Sequence, residues 1–321
     1  MKNYLKVTCV VAIGLLFFES CKKEKQGETT ACKSAIYGYN MPDSASLLNI
    51  TGGTCAYSLV NSATGVGSSM GSFISWGLPV QGAFNHSDNC YYVFKITSTI
   101  TPGSVLYKIS ASGTVSTYTK STAGGCGAIV YNRFNNKLYC AVADSLAEIV
   151  ISGTYFTTNN LVATVHPMRG YNTTVNNSNG DVYYTTGDTT VYYIERYQPG
   201  GASSSVVASG TGAWSLLGLK FNNNDNMLYA VTDDHPVVGN HFIKINPSTG
   251  VVSSLSHLPG IINVDFYSTC LDPCSNRFLV STMSYSSIGF DTCILNQYNM
   301  SGKLVQHDTT TGLFLGLDVD Y

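Results

Sequence analysis

An all-β fold is predicted by three features of this 321-residue sequence. A hairpin with an Asn-rich turn recurs along the chain, and a different hairpin with a Gly-bearing turn recurs in the same period. No stretch after residue 21 shows the 3.6-residue periodicity of an amphipathic helix. Two hairpins in each period of roughly 45 residues give four short strands per repeat, which is the signature of a β-propeller blade.

The first hairpin carries one apolar or aromatic residue just before its turn. These residues are spaced by 47, 44, 46, 50 and 48 positions, and the last belongs to a partial copy at the end of the chain. Asn tolerates left-handed backbone and its side chain caps its own turn. The Asn-rich segments therefore predict turn architecture and not calcium loops. The spaced residues are Phe84, Tyr131, Val175, Phe221, Leu271 and Val319.

The second hairpin is a strand, a tight turn with Gly, and another strand. Gly suits such turns because they need positive φ, which is nearly free for Gly and costly for other residues. Six copies predict six blades. The turn glycines are Gly65, Gly113, Gly153, Gly200 or Gly201, Gly250 and Gly302.

The two ends of the repeat region predict a closed ring. The first blade begins at its second strand, AIYGY from Ala35, and the chain finishes with GLFLGLDVDY, which matches an innermost first strand. The C-terminal strand would then join the N-terminal blade and remove free sheet edges, which are templates for aggregation. Two packed β-sandwiches are the alternative, but they explain neither the period nor six similar hairpins.

The segment Asn246, Pro247, Ser248, Thr249 and Gly250 resembles the blade-ending hairpin of a broad class of extracellular six-bladed β-propellers. The resemblance covers about residues 33 to 321. It implies the fold and no particular activity, and it points to no specific functional family.

The N-terminus has the parts of an export signal. Lys2 and Lys6 precede a twelve-residue apolar run at 7–18, which is too short for the roughly 20 residues of a membrane span. Ser20 followed by Cys21 resembles a bacterial lipobox, although Glu19 stands where a small residue is usual. We therefore expect a lipoprotein signal at 1–21 with lipidation at Cys21, a flexible tether at 22–32, and the propeller at 33–321. This organisation predicts a bacterial cell-envelope protein, lipid-anchored to the outer membrane. Ordinary signal cleavage with an incidental Cys21 is the alternative.

Charge and cysteine content agree with export. The net charge is −2 and only 11% of residues are charged, against about 25% in an average soluble domain. No basic run stands out within the domain, so nucleic acid is not an expected partner. Eight cysteines follow Cys21, an even number that suggests disulfides without choosing their pairing. Cys270 and Cys274 lack the spacing of a zinc knuckle.

Candidate binding residues lie in the loops between blades, because loops that meet on one face of a propeller carry function more often than the packed sheets do. Aromatic rings with a few hydrogen-bonding groups would suit a sugar or a peptide. Packing of both tryptophans in the channel or between blades is the alternative. The candidates are Trp76, His166, Arg169, Tyr171, Trp214, His257 and Asp265.

The leading functional hypothesis is a non-catalytic binding or scaffolding propeller for a carbohydrate or protein partner. Enzyme motifs are missing from the sequence, and no resident cofactor is predicted. The only glutamates after residue 28 are Glu148 and Glu195. Both fall on third strands, away from the channel. The alternative is a metal-assisted hydrolase or lyase with calcium or zinc held at the channel by residues such as Asn263, Asp265 and Asp318. A purely structural envelope protein is a third hypothesis. The sequence leaves the oligomeric state open.

Overall fold

The computed structural model describes residues 34–41, 53–61, 64, 66–75, 81–96, 102–121, 125–188, 190–211, 215–233, 240–258, 267–286, 289–310 and 313–320. All of them belong to one compact unit, Ser34–Tyr321. Every regular element in these ranges is a β-strand, so the all-β prediction is confirmed. None of the described segments forms a helix that is long and apolar enough to cross a membrane. The export signal, Cys21 and the tether lie outside the described residues.

Twenty-four strands follow one another along the described ranges. They are β1 (Ala35–Met41), β2 (Gly53–Val60), β3 (Gly67–Ser75), β4 (Ala83–Asn85), β5 (Cys90–Ile96), β6 (Pro102–Ser110), β7 (Val115–Lys120), β8 (Ile129–Asn132), β9 (Lys137–Val142), β10 (Ser145–Ser152), β11 (Tyr155–Ala163), β12 (Met168–Val175), β13 (Val182–Gly187), β14 (Val191–Tyr197), β15 (Ser204–Thr211), β16 (Ser215–Asn222), β17 (Met227–Asp233), β18 (Asn240–Ile245), β19 (Val252–Leu258), β20 (Tyr267–Asp272), β21 (Arg277–Ser286), β22 (Gly289–Asn299), β23 (Leu304–Thr310) and β24 (Leu313–Asp320).

Antiparallel sheets of four strands are the repeating unit. Three sheets take consecutive strands, in the orders β12-β13-β14-β15, β16-β17-β18-β19 and β20-β21-β22-β23. A fourth sheet has the order β24-β1-β2-β3, so it combines the last described strand with the first three. In that sheet Ile36 of β1 lies opposite Val319 of β24, and Asn40 lies opposite Phe314.

The fifth sheet has eight strands and contains two of these units. Strands β4 to β7 and β8 to β11 each form an antiparallel set of four, and the outer strands β7 and β11 of the two sets pair in parallel. The contact is short, with Tyr155 opposite Thr119 and Phe156 opposite Lys120. The regular repeat did not predict this join, which arises where two outer strands approach each other.

The core lies between the four-stranded units. Six clusters of buried apolar side chains each draw their residues from two units that follow one another, including the pair formed by β20–β23 and the sheet that holds β24. Along β5, Tyr91 and Val93 belong to one cluster, whereas Tyr92 and Phe94 belong to the next. Successive side chains of a strand point to opposite faces, so both faces of these sheets are buried.

The Asn-rich turns have the architecture that the sequence predicts. The last position of each turn has left-handed backbone, with φ of 53° to 59° at Asn89, Asn136, Asn226 and Asn276 and 81° at Gly180. The first position caps the turn, because its side-chain oxygen accepts the N–H two residues on, at 2.9 or 3.0 Å. These capping residues are Asn85, Asn132, Asn176, Asn222 and Asp272.

The Gly-bearing turns of the second hairpin also have the backbone conformation that the sequence predicts. Positive φ occurs at Gly113, Gly153, Gly250 and Gly302, and at Gly200 rather than Gly201. Gly65 lies outside the described residues.

Candidate functional site

A polar cavity of about 70 Å³ lies among the first strands of the repeating units. Its lining includes residues from β4, β8, β12, β16, β20 and β24 and from the turns that follow several of these strands. It therefore lies at the turn end of the first strands, whereas the loops between units enter at the other end. The side chains that give it polar and charged character are Gln81, His86, Arg133, Lys220 and Asp318.

Asp318 is the carboxylate of the cavity. Its Oδ2 accepts the backbone N–H of Phe84 at 2.6 Å, which ties β24 to β4. Burial raises the pKa of the Asp318 carboxyl above its usual value, and Lys220, the N–H groups of Phe84 and Val319, and His86 offset part of that rise. The carboxyl group thus serves as an acceptor that joins two inner strands.

Lys220 is the buried cation of the cavity. It lies on β16 and is 8% exposed, and it affects the electrostatics of Asp318 and Cys270. Among the described residues, no hydrogen-bond acceptor or ion-pair partner within 4 Å contacts its ammonium. Because Lys220 lines the cavity, its ammonium is the group that a bound anion would contact.

Arg133 adds a second cation at the exposed edge of the cavity. The ring of His86 contacts two aromatic neighbours, Phe84 at a centroid distance of 5.3 Å and Tyr131 at 5.8 Å. Two cationic side chains and one carboxylate give the described lining a surplus of basic residues.

The walls are held by hydrogen bonds between units. Gln81 spans from the segment before β4 to β12, where its Nε2 donates to the carbonyl of Thr173 at 2.6 Å and its Oε1 accepts the Thr173 N–H at 3.0 Å. Neighbouring turns are also joined, because Asn177 N–H donates to Asn223 Oδ1 at 3.0 Å. Such fixed walls suit a preformed binding site.

Most of the binding residues predicted from the sequence fall where the structure gives no side-chain description. Trp76, Trp214 and Asp265 lie outside the described residues. Arg169 and Tyr171 lie on β12, but only their backbone is described. Their grouping into one site therefore stays a prediction.

His166 is described, and it packs against its own sheet. Its ring stacks on Tyr193 with centroids 3.6 Å apart and an interplanar angle of 5°. Its Nδ1 lies 3.4 Å from Glu195 Oε1. This packing orients the ring, and a role in ligand binding stays a prediction.

Glu195 anchors the loop that carries His166. The side chain is fully buried, and its oxygens accept the N–H groups of Val165 and His166 and the hydroxyls of Tyr184, Thr186 and Ser204, at 2.8 to 3.3 Å. Burial acts to raise the pKa of Glu195, but these hydrogen bonds outweigh it and lower that pKa below its usual value. Glu195 lies on β14, the third strand of its sheet, as the sequence predicts, but no sequence pattern indicated this anchoring role.

His257 lies on β19 directly opposite His241 of β18. The two rings meet edge to face at 5.3 Å, and His241 Nδ1 lies 3.1 Å from Ser254 Oγ. Neither residue lines the cavity. In the described part of the chain, no three His, Cys, Asp or Glu side chains come together as a metal site.

The cavity was not predicted, although the repeat contains a pattern that indicates it. The residues one place before the spaced apolar positions include Thr174, Lys220 and Asp318. The same position is apolar in other copies of the repeat, such as Ala83 and Val130. The polar residues at this position line the cavity.

Repeated four-stranded sheets with buried cores between them place this chain in the β-propeller class of all-β proteins. No protein-family model matches the chain, and no curated protein matches its sequence. Solved structures share the fold. A crystal structure of a nidogen/laminin complex aligns with a TM-score of 0.62 and 12% identity, over 90% of this chain and 99% of that one. TolB from Acinetobacter baumannii aligns with a TM-score of 0.61 and 13% identity, over 89% of this chain and 66% of that one. A protein from Lactobacillus plantarum aligns with a TM-score of 0.51 and 12% identity, over 89% and 98%.

Proposed function

We propose that the chain is a six-bladed β-propeller of the bacterial cell envelope that binds a carbohydrate or protein partner and carries out no catalysis. The observation that carries the proposal is the polar cavity among the first strands, with its buried Lys220 and its fixed walls. A preformed concave site with a few converging polar groups is the usual form of a binding site.

Six blades are supported by the sheets and by the core. The eight-stranded sheet counts as two blades because its halves join only through the short parallel pairing of β7 and β11. Six core clusters then lie between six successive units. The pairing of β24 with β1 supports closure of the ring by the C-terminal strand.

The envelope location rests on the N-terminal sequence and on composition. Lys2, Lys6 and the apolar run at 7–18 support export, and Cys21 is the proposed lipidation site for attachment to the outer membrane. A surface with few charged residues suits the outside of a cell. The fold is also found in nidogen, which has a solved complex with laminin, and this supports a protein partner for the present chain.

The loops between blades form a second proposed contact region at the opposite end of the channel. Trp76, Arg169, Tyr171, Trp214 and Asp265 would contact the parts of a partner that the small cavity does not hold, together with His166 and His257.

The test is a glycan array and a pull-down from envelope extracts, with wild-type protein and two charge-reversed variants. Arg133→Glu changes the edge of the cavity, and Lys303→Glu makes the same change in the exposed turn between β22 and β23. We expect Arg133→Glu to weaken binding at least about tenfold, equivalent to about 1.4 kcal/mol, and Lys303→Glu to bind like wild type. Blank results in both screens would overturn the proposal, and measured hydrolytic turnover would favour an enzyme instead.

The metal-assisted hydrolase or lyase remains the alternative because Asp318 and His86 both line the cavity. Under the binding proposal, added calcium or zinc should leave the melting temperature of metal-free protein unchanged. Stoichiometric metal in purified protein, or a clear rise in melting temperature on adding it, would favour the enzyme.

We also propose one disulfide. Cys126 and Cys140 are buried free thiols in one core cluster and hydrogen-bond each other. No bond joins any two of Cys90, Cys126, Cys140, Cys270 and Cys293 in the structure. In an oxidising envelope, an external disulfide would accept two electrons from the Cys126 and Cys140 thiols, which lose two protons as their sulfurs bond.

After oxidation by a dithiol–disulfide buffer, mass spectrometry should show that wild type and Cys293→Ser each lose two more hydrogens than Cys126→Ser. The bond closes a loop of about 15 residues, so it should raise stability by up to about 3 kcal/mol. Equal hydrogen loss from wild type and Cys126→Ser after complete oxidation would contradict this pairing.

A further inference from the structure

We infer that the cavity binds a carboxylate group and that Lys220 is the residue that selects it. This inference rests on the proposed binding function and names the chemistry of the ligand. Its first support is Lys220 itself, a residue nine-tenths buried on the cavity wall whose ammonium has no hydrogen-bond acceptor among the described residues. Asp318 is the carboxylate that shares the cavity with it, and an anionic ligand would supply a direct acceptor for the ammonium.

The charge of the lining favours an anion of low charge. Lys220 and Arg133 are cationic, and Asp318 is the carboxylate among the cavity's described lining residues. A monoanion complements this small positive surplus. A phosphate dianion would meet stronger repulsion from Asp318, and it would lack the helix N-terminus that commonly binds phosphate, since the described residues contain no helix.

The size of the cavity favours a small planar group. About 70 Å³ is roughly half of the ~150 Å³ cavity that holds one benzene ring. Such a volume favours a carboxylate group over a whole sugar ring. The remainder of the ligand must therefore lie outside, near the exposed Arg133, whose guanidinium can donate two parallel hydrogen bonds to a carboxylate.

The cavity also has an apolar side for the carbon next to the carboxylate. Phe84, Tyr131 and Phe221 line it beside the charged groups. Tyr131 is held in place because its hydroxyl donates to Asn136 Oδ1 at 2.6 Å. Charged donors on one side and aromatic carbon on the other fix the orientation of a carboxylate ligand.

Two pairs of probes test the inference and separate two sources of a carboxylate. Glucuronate and glucose form the sugar pair. A triglycine peptide with a free C-terminus and the same peptide with a C-terminal amide form the peptide pair, because amidation removes the terminal charge. Binding is measured by isothermal titration calorimetry in a low-salt buffer that contains no carboxylate ion. We expect the charged member of at least one pair to bind at least tenfold more tightly than its neutral counterpart.

Three variants assign the effect to the ammonium. Lys220→Met removes the charge and should weaken carboxylate binding at least tenfold. Lys220→Arg keeps the charge and should retain a measurable part of the binding, while Lys303→Met makes the same substitution in an exposed turn and should bind like wild type. The melting temperature of Lys220→Met should stay close to that of wild type, since the substitution removes an ammonium without a hydrogen-bonded partner. A large fall in melting temperature would assign Lys220 a structural role instead.

The outcomes distinguish the inference from the function on which it rests. Equal binding of charged and neutral probes, or a glycan array with only neutral hits, overturns carboxylate selection and leaves the binding function intact. Blank calorimetry together with blank array and pull-down screens overturns both. Acidic glycans or free peptide C-termini among the hits, lost in Lys220→Met, support the inference and identify the source.

Discussion

Deletion of residues 313–321 is expected to abolish cooperative folding of the whole propeller. Strand β24 is the first strand of the sheet that also contains β1, β2 and β3. Its side chains Phe314, Leu315 and Leu317 are 0% exposed and Val319 is 4% exposed. Burial of each such side chain stabilises a protein by roughly 1.5–3 kcal/mol. Their combined loss is comparable with the whole stability of a typical domain, about 5–15 kcal/mol.

The effect should reach beyond one sheet. Leu315 belongs to the core cluster shared with β4–β6, and Phe314, Leu317 and Val319 belong to the cluster shared with β20–β22. A hydrogen bond also joins β24 to β20, because Leu317 N–H donates to Ser268 Oγ at 2.8 Å. Removing β24 therefore opens two interfaces between blades at once.

Circular dichroism and differential scanning calorimetry would measure the result. The truncated chain should show no cooperative transition, or one lowered by tens of degrees. Leu317→Ala provides a graded version, with an expected loss of about 2–5 kcal/mol. Leu304→Ala is its control, since Leu304 lies on the outer strand β23 and is 46% exposed. A truncated protein that melts with the full-length chain would disprove ring closure.

The repeat made much of the fold predictable because each copy solves the same local problem with the same residues. Asn89, Asn136, Asn226 and Asn276 occupy left-handed turn positions, and that conformation restricts the choice of residue strongly. Two such hairpins per period define four strands without any knowledge of long-range contacts. Predictions of this kind depend on local backbone chemistry, which the sequence records directly.

Features that arise between repeats were not predictable in the same way. The parallel pairing of β7 with β11 depends on how far two outer strands lean toward each other. The cavity depends on which side chains from six distant segments meet, and Lys220 and Asp318 are 98 positions apart in the sequence. A single sequence shows that these residues are polar, but not that they line one wall.

The hydrogen bonds of Glu195 also could not be predicted from the sequence, and they lead to the second prediction with a large expected effect on stability. The substitution Glu195→Gln should destabilise the protein by about 2–4 kcal/mol at neutral pH, because it replaces a buried acceptor that five groups use. An amide has one oxygen, and its NH₂ group would face N–H and O–H donors that already point at the carboxylate. The loop that carries His166 should loosen first.

The pH dependence identifies the cause. Because hydrogen bonds hold the pKa of Glu195 below its usual value in the folded chain, the ionised side chain stabilises the fold above the unfolded-state pKa of about 4.3. That contribution is lost as the pH falls through the lower folded-state pKa. The stability difference between wild type and Glu195→Gln should therefore be largest at neutral pH and shrink below about pH 4.

Glu148→Gln is the matched control for this prediction. Glu148 lies on β10, the third strand of the preceding blade, and its Oε2 pairs with Lys137 Nζ at 2.8 Å on the surface. Exposed pairs contribute about 0–1 kcal/mol, so this variant should unfold almost like wild type in urea at every pH. If both variants lose the same stability, or if the Glu195→Gln deficit is independent of pH, the buried carboxylate is not what secures the loop. A large, pH-dependent loss of stability confined to Glu195→Gln would show that the buried Glu195 carboxylate secures the loop that enters this blade. The first strand of the same blade contributes Thr173 and Thr174 to the cavity wall.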